Sequence, residues 1–386
     1  MNDSLLTKAK IEGAMGQALK KLDKLMEDFV DDFPFASSVD GVYAPDPAGN
    51  RGGWTQCFYT GMLALAYEYT KDKKYLDRLE HLLPTFFNRV DNMIGMGDHD
   101  IGFNFTLSCV AAYKATGNEL YKEKALKAAH VLRNRFREKG QFIQLAGEAD
   151  CAEPLLYRFI IDTLMNLHLL FWATEASGNS EYAEKAYAHF NTAMETLIRE
   201  DGSTYQNFYM DQETGARLRG GTKQGLSDES CWARGQSWGV AGIPFVYSYK
   251  KNDDVMDKYY LITDYYLDHL PKDKVAYWDL FYTDPSEEPR DSSAAAIGVC
   301  GLNEAVKIMP LDDAHKERYA KAADEILNSL IDSYTTKDDE KSNGLLKHAT
   351  YYYAGKLGID ECNIYGDYFY MEALMRYLNP DWKKYW

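Results

Sequence analysis

The chain has 386 residues, 46% hydrophobic and 26% charged, with a formal net charge of −16. That balance fits a globular protein and excludes a disordered chain. Without a long basic stripe it also argues against nucleic acid and anionic membrane as partners. A small acidic substrate stays open, provided Arg, Lys or His cluster at its site.

Met1-Asn-Asp-Ser-Leu-Leu-Thr-Lys lacks the basic-then-apolar layout of a signal peptide, and no apolar run is long enough to span a bilayer. Cys57, Cys109, Cys151, Cys231, Cys300 and Cys362 are widely spaced, several of them within apolar helical runs. They read as reduced core residues, so the expected compartment is cytoplasmic.

In chain order, a helix is predicted over roughly residues 5–30. Trp54–Thr70 is an apolar run at helical spacing, followed by Lys71-Asp-Lys-Lys and an amphipathic helix from Tyr75. The layout returns at Asp100–Thr116 with Tyr121 after it, and at Tyr157–Ser177 with Tyr182 after it. It returns again at Cys231–Tyr249 before Tyr259, and at Arg290 through Tyr319 to Leu330. A last copy opens at Tyr365, with the N-terminal helix free to be its partner. The first helix of each pair is apolar nearly all round and should be buried; the second has one polar face and should lie outside. Six such pairs at a period of about 45–60 residues predict an all-α fold, an (α/α)6 barrel, as a single domain over residues 1–386. Strand-like runs are few, mostly Gly140–Leu145 and Ser203–Met210.

Asp162 falls inside the apolar stretch 157–173, read as helix, where a carboxylate is costly unless it is paired, caps a backbone or works as an acid. Asn166, one turn on, faces the same way. Asp100 precedes another apolar run, where an N-cap is the plain alternative. Two acids on such helices suit carbohydrate acid–base chemistry. Asp98-His99-Asp100 is too sparse for a metal site, and no Gly-rich phosphate loop follows a strand, so neither metal nor cofactor is implied. The run Arg219–Trp238 is the densest: Gln224 offers an amide, Arg234 a fork for a carboxylate, and Trp232 and Trp238 flat faces for sugar rings.

The stretches WTQCFYTG (54–61), DHDIGF (98–103), IIDTLMNL (160–167), LRGGTKQG (218–225), CWARGQSW (231–238), YWDLF (277–281), RDSSAAAIGVCGL (290–302) and IYGDYFYMEAL (364–374) stand in order along the chain. In these segments it resembles the unsaturated glucuronyl hydrolases of glycoside hydrolase family 88. The resemblance implies release of 4,5-unsaturated glucuronic acid from lyase-generated glycosaminoglycan disaccharides of chondroitin or hyaluronan type, by hydration of the C4=C5 enol ether. It implies Asp162 as the acid/base and Asp100 as the second carboxylate, with Trp54, His99, Gln224, Trp232, Arg234 and Tyr351 around the unsaturated sugar. The partner is then the unsaturated disaccharide, with the protein a monomer or homodimer.

The chain departs from the family pattern in two places. Gln206 stands where relatives have a histidine beside the sugar, so a proton role there is lost while hydrogen bonding is kept. Ala349-Thr-Tyr-Tyr-Tyr-Ala354 replaces a Ser-x-x-Ser-x-Lys pattern, so selectivity for sulfated disaccharides is not carried over. Hydrolysis of unsaturated rhamnogalacturonyl pectin fragments is one alternative, and a non-catalytic sugar-binding toroid is another.

Overall fold

Apolar runs alternating with amphipathic ones produce helix pairs, and the computed structural model describes them over residues 6–48, 52–147, 154–251 and 253–386. After α1 (Lys8–Asp28) come α2 (Gln56–Thr70) and α3 (Lys73–Asn92). The next inner helix is split into α4 (Ile101–Phe105) and α5 (Ala111–Thr116) by a π-turn at Thr106–Val110, and α6 (Glu119–Asn134) covers it. After β1 (Phe136–Arg137), β2 (Phe142–Ile143) and β3 (Arg158–Ile160) follow α7 (Thr163–Asn166), α8 (His168–Ser177) and α9 (Glu181–Thr196). Next come β4 (Asn207–Met210), β5 (Arg217–Gly221), α10 (Ala233–Tyr249) and α11 (Asp253–Asp268). The chain ends with α12 (Ser292–Ile308), α13 (Lys316–Ser329), β6 (Ala349–Tyr352), β7 (Leu357–Glu361) and α14 (Ile364–Leu378).

The inner helices α2, α4, α7–α8, α10, α12 and α14 pack side to side in that order, and α14 returns to α2. Each also carries one outer helix, with α1 covering α14, which makes the six inner and six outer helices the sequence predicts. α10 and α12 bury nearly every residue, whereas α3 and α13 bury only one stripe. The junctions repeat as well. Gly117 and Gly178 take positive φ (73° and 77°) and end α5 and α8 in a left-handed turn. Asn118 and Asn179 then accept from the N–H groups of Leu120 and Glu181, both at 3.0 Å, opening the outer helices. Inside the ring, Trp386 stacks on Phe369 (5.8 Å between centroids, 5° between planes) and donates from Nε1 to Glu372.

One sequence expectation changes. Residues 157–173 are not one helix: 158–160 form β3, which pairs with β4 (Ile160 opposite Asn207), and helix begins only after Asp162. A short apolar run reads equally as buried strand or helix, and here Phe159-Ile160 finds strand partners. Arg217–Gly221 forms β5 at the edge of the antiparallel sheet β3–β4–β5. Further hairpins come from β1–β2 and β6–β7.

Among the described residues no helix is long and apolar enough to cross a membrane. Their five cysteines are free and buried; Cys151 lies outside the described residues.

Gly102 sets the approach of α4 to α7. A Cβ there would stand 2.4 Å from the Asn166 carbonyl oxygen and 2.5 Å from its Cα. Gly102→Ala is expected to lower stability by about 1–3 kcal/mol through overpacking, read as a drop in melting temperature. An unchanged melting temperature contradicts the close contact.

Candidate active site

With α4 and α7 touching at Gly102, the two residues just before them, Asp100 and Asp162, come to the same end of the ring. Neither side chain caps its own helix, so the N-cap alternative does not account for them. Both line a cavity of about 380 Å³ together with Trp54, His99, Gln206, Gln224 and Tyr351. That volume is in the range of small-molecule sites.

The two acids are held close to neutrality. Asp162 is 9% exposed, and its Oδ1 is buried without a hydrogen-bond partner. Burial pushes its pKa up to about 7, against the opposing charge of Arg234. The Asp100 carboxyl lies well above the usual carboxylate range, through burial first and then the charges of Asp98 and Asp162; a hydrogen bond from Asn166 opposes the shift. Asp98 is raised as well, chiefly by burial, and accepts from the Asp100 N–H at 2.9 Å. His99 is 1% exposed and burial holds its pKa well below the usual value, so the imidazole is neutral. With a neutral ring, the 3.4 Å approach of Nε2 to Asp100 Oδ1 is not an ion pair.

The opposite wall is a hydrogen-bonded frame. Gln206 Oε1 accepts from Thr222 Oγ1 (3.0 Å), Lys223 N (2.6 Å) and Gln224 N (2.9 Å), while its Nε2 donates to Gln224 Oε1 (2.7 Å). Gln224 in turn donates to the Tyr351 carbonyl, and Trp54 Nε1 donates to the Tyr351 hydroxyl at 3.2 Å with the two rings stacked (22° between planes). Gln206 therefore bolts the loop after β5 to the sheet. Gln206→Ala is expected to raise KM about tenfold with a smaller change in kcat, since its hydrogen bonds contribute on the order of 1 kcal/mol each. Steady-state kinetics check it; an unchanged KM removes the bolt.

The sequence profile of Glycosyl Hydrolase Family 88 matches residues 24–375. The chain belongs to this family. It is 42% identical to the unsaturated chondroitin disaccharide hydrolase of Streptococcus agalactiae serotype III (strain NEM316), over 100% of this chain and 96% of that one. The solved unsaturated glucuronyl hydrolase of Bacillus sp. GL1 has a TM-score of 0.93 at 35% identity, covering 97% of this chain and 99% of that one. A mutant of the Streptococcus agalactiae unsaturated glucuronyl hydrolase, solved with dGlcA-GalNAc6S, has a TM-score of 0.87 at 39% identity, covering 100% and 95%.

In this family 88 chain three sequence-named residues do not line the cavity. Arg234 is 1% exposed and already engaged: it donates to Asp291 (2.8 Å) and to the carbonyls of Thr350 (2.6 Å) and Tyr351 (2.7 Å). Trp232, 4% exposed, lies 4.5 Å from that guanidinium and holds it by its ring face. Trp238 is fully buried between Phe103 and Phe369, so its face is core and not a sugar platform.

Conversely, Leu145, Arg158, Ile160, Asn207, Lys223, Tyr352 and Leu357 line the cavity and were not singled out from the sequence. Arg158 and Lys223 give this family 88 cavity positive charge beside its acids. Read at period two, Arg158, Ile160 and Asp162 share a face, and that pattern was the available signal. Among the described residues no cluster of His, Cys, Asp and Glu is arranged to hold a metal.

Proposed function

We propose that the protein releases 4,5-unsaturated glucuronic acid from lyase-generated glycosaminoglycan disaccharides by acid-catalysed hydration, and that the whole chain acts as one catalytic domain. The observation that carries this is Asp162, whose buried, unpartnered oxygen and pKa of about 7 keep a carboxylic acid ready to give up a proton near neutrality. The relatives' names supply the substrate class, unsaturated chondroitin disaccharides among them.

Protonating a carbon needs a neutral acid, and an enol ether is a carbon base. In this reading Asp162 gives its proton to C4, and positive charge develops at C5 and the ring oxygen. Water then adds at C5, returning a proton to the Asp162 carboxylate. The hemiketal at C5 opens to a ketone, and the hemiacetal left at C1 releases the partner sugar. Asp100 stays close to neutral and holds ring hydroxyls. Hydration needs no covalent nucleophile, so one carboxyl cycling between acid and base suffices. The five cysteines among the described residues, free and buried, support a reducing, cytoplasmic setting.

Incubation with an unsaturated chondroitin disaccharide should abolish the ultraviolet band of the enol ether. Persistence of that band across chondroitin, hyaluronan and pectin-derived unsaturated disaccharides contradicts the reading; loss with the pectin-derived substrate alone transfers it to the rhamnogalacturonyl class.

A further inference from the structure

The buried arginines of this fold differ in what answers their charge. Arg234 faces Asp291 at 2.8 Å, and Arg376 faces Glu304 and Glu372 at 2.8 and 2.7 Å. Arg158, 6% exposed and lining the cavity that holds the acids, meets no carboxylate within ion-pair distance among the described residues. Its Nη1 donates to the Leu155 carbonyl at 2.5 Å, and its Cζ lies 5.6 Å from the centre of the Tyr209 ring. The Nε–H is buried without a partner. Nη2, on the same edge of the planar fork, is also unbonded among the described residues. A buried charge left unanswered is costly, and a free pair of parallel N–H groups is the part of an arginine that grips an oxyanion.

The place of Arg158 narrows which oxyanion that is. Along an extended strand its backbone stands up to ~13 Å from that of Asp162, on the same face. The carboxylate of the unsaturated sugar is on C5, next to the carbon that Asp162 protonates, and the cation acting on Asp162 is Arg234. The charge of Arg158 is felt instead at His99. Arg158 therefore serves a group away from C4 and C5, and the other anions of glycosaminoglycan disaccharides are sulfate esters. Lys223, whose ammonium has no partner among the described residues, adds a second positive charge to the same cavity. We propose that Arg158 is a specificity-determining residue that grips a sulfate ester of the disaccharide through its Nε–Nη2 edge. Sulfate recognition, which the missing Ser-x-x-Ser-x-Lys pattern removes from the β6–β7 hairpin, then returns on the β3 wall.

The inference rests on the proposed hydrolysis of unsaturated disaccharides, and two measurements keep the two apart. In the first, parent and Arg158→Gln are compared on unsulfated, 2-O-, 4-O- and 6-O-sulfated unsaturated disaccharides. Arg158→Gln should raise KM about tenfold on at least one sulfated substrate, with KM on the unsulfated one and every kcat within about twofold. Arg158→Lys, which keeps the charge and loses the parallel N–H pair, should show the same selective loss in smaller measure. A KM unchanged on every substrate overturns the proposal; so does a rise shared equally by the unsulfated disaccharide, which transfers Arg158 to the uronate carboxylate. The second measurement needs no turnover. Sodium sulfate, set against sodium chloride at equal ionic strength, should raise the melting temperature of the parent more than that of Arg158→Gln. Equal shifts overturn the sulfate grip. A shift that depends on Arg158 in a protein inactive on every disaccharide supports the grip and overturns the proposed function alone.

Discussion

Asp162→Asn is expected to lower kcat by about 10²–10⁴-fold while making the protein more stable. The two effects share a cause. The carboxyl titrates at about 7 in the folded chain and at 3.8 unperturbed, so across that window the unfolded chain releases a proton that the folded chain keeps. Stability is therefore complete below the lower value, falls as pH rises between the two, and is flat above about 7. At 1.36 kcal/mol per pKa unit the loss amounts to ~4 kcal/mol at most. Asparagine has no charge to bury. Its advantage in urea melts should be small near the unperturbed value of 3.8 and largest above about 7. A pH-independent difference between variant and parent sinks the neutral-acid assignment. The parent's kcat should likewise fall as pH rises through about 7, where Asp162 loses the proton it donates.

Replacing Arg234 should be the most damaging change away from the acids. Its ion pair with Asp291 has side chains 2% and 0% exposed, and breaking such a pair from one side costs about 3–5 kcal/mol. Arg234→Gln also frees the carbonyls of Thr350 and Tyr351, so the β6 strand that carries Tyr351 into the cavity loses its tether. Arg234→Lys should not restore stability, because a point charge cannot serve Asp291 and two carbonyls as a planar fork does. The charge of Arg234 holds the Asp162 pKa down, so its loss should move the alkaline limb of the kcat profile to higher pH. Thermal melting and pH–rate profiles of whatever folds check both parts; wild-type stability in Arg234→Gln contradicts the tether.

The ring of helices was legible because its signal is periodic and repeated: wholly apolar helices alternate with one-faced ones, joined by Gly–Asn turns that end one helix and open the next. Asp100 and Asp162 were legible because a carboxylate inside an apolar run has few inexpensive explanations. Arg158 was missed because Tyr157-Arg-Phe-Ile-Ile-Asp162 is too short and too apolar to separate strand from helix, and the pairing partner that decides lies in β4. Trp238 misled because a flat aromatic beside polar residues looks alike in a sugar subsite and in a core. Arg234 misled for a different reason. Its partners include backbone carbonyls of residues more than a hundred positions away, and a carbonyl leaves no trace in a sequence. Gln206, named for a position next to substrate, lines the cavity and also holds Lys223 and Gln224 in place, a framing role that only its bonds reveal.

The cavity's two halves have separate origins: its acids stand on the helical ring, while Lys223, Gln224, Tyr352 and Leu357 come from strands and turns outside it. Such a division makes the protein modular for engineering. The turn 353–356 between β6 and β7 joins two strands paired with each other; beyond Tyr353, whose ring stacks on Trp278, its residues can be exchanged without repacking the ring. Libraries confined to residues 354–356 of that turn should alter which second sugar is accepted while leaving the proton chemistry intact.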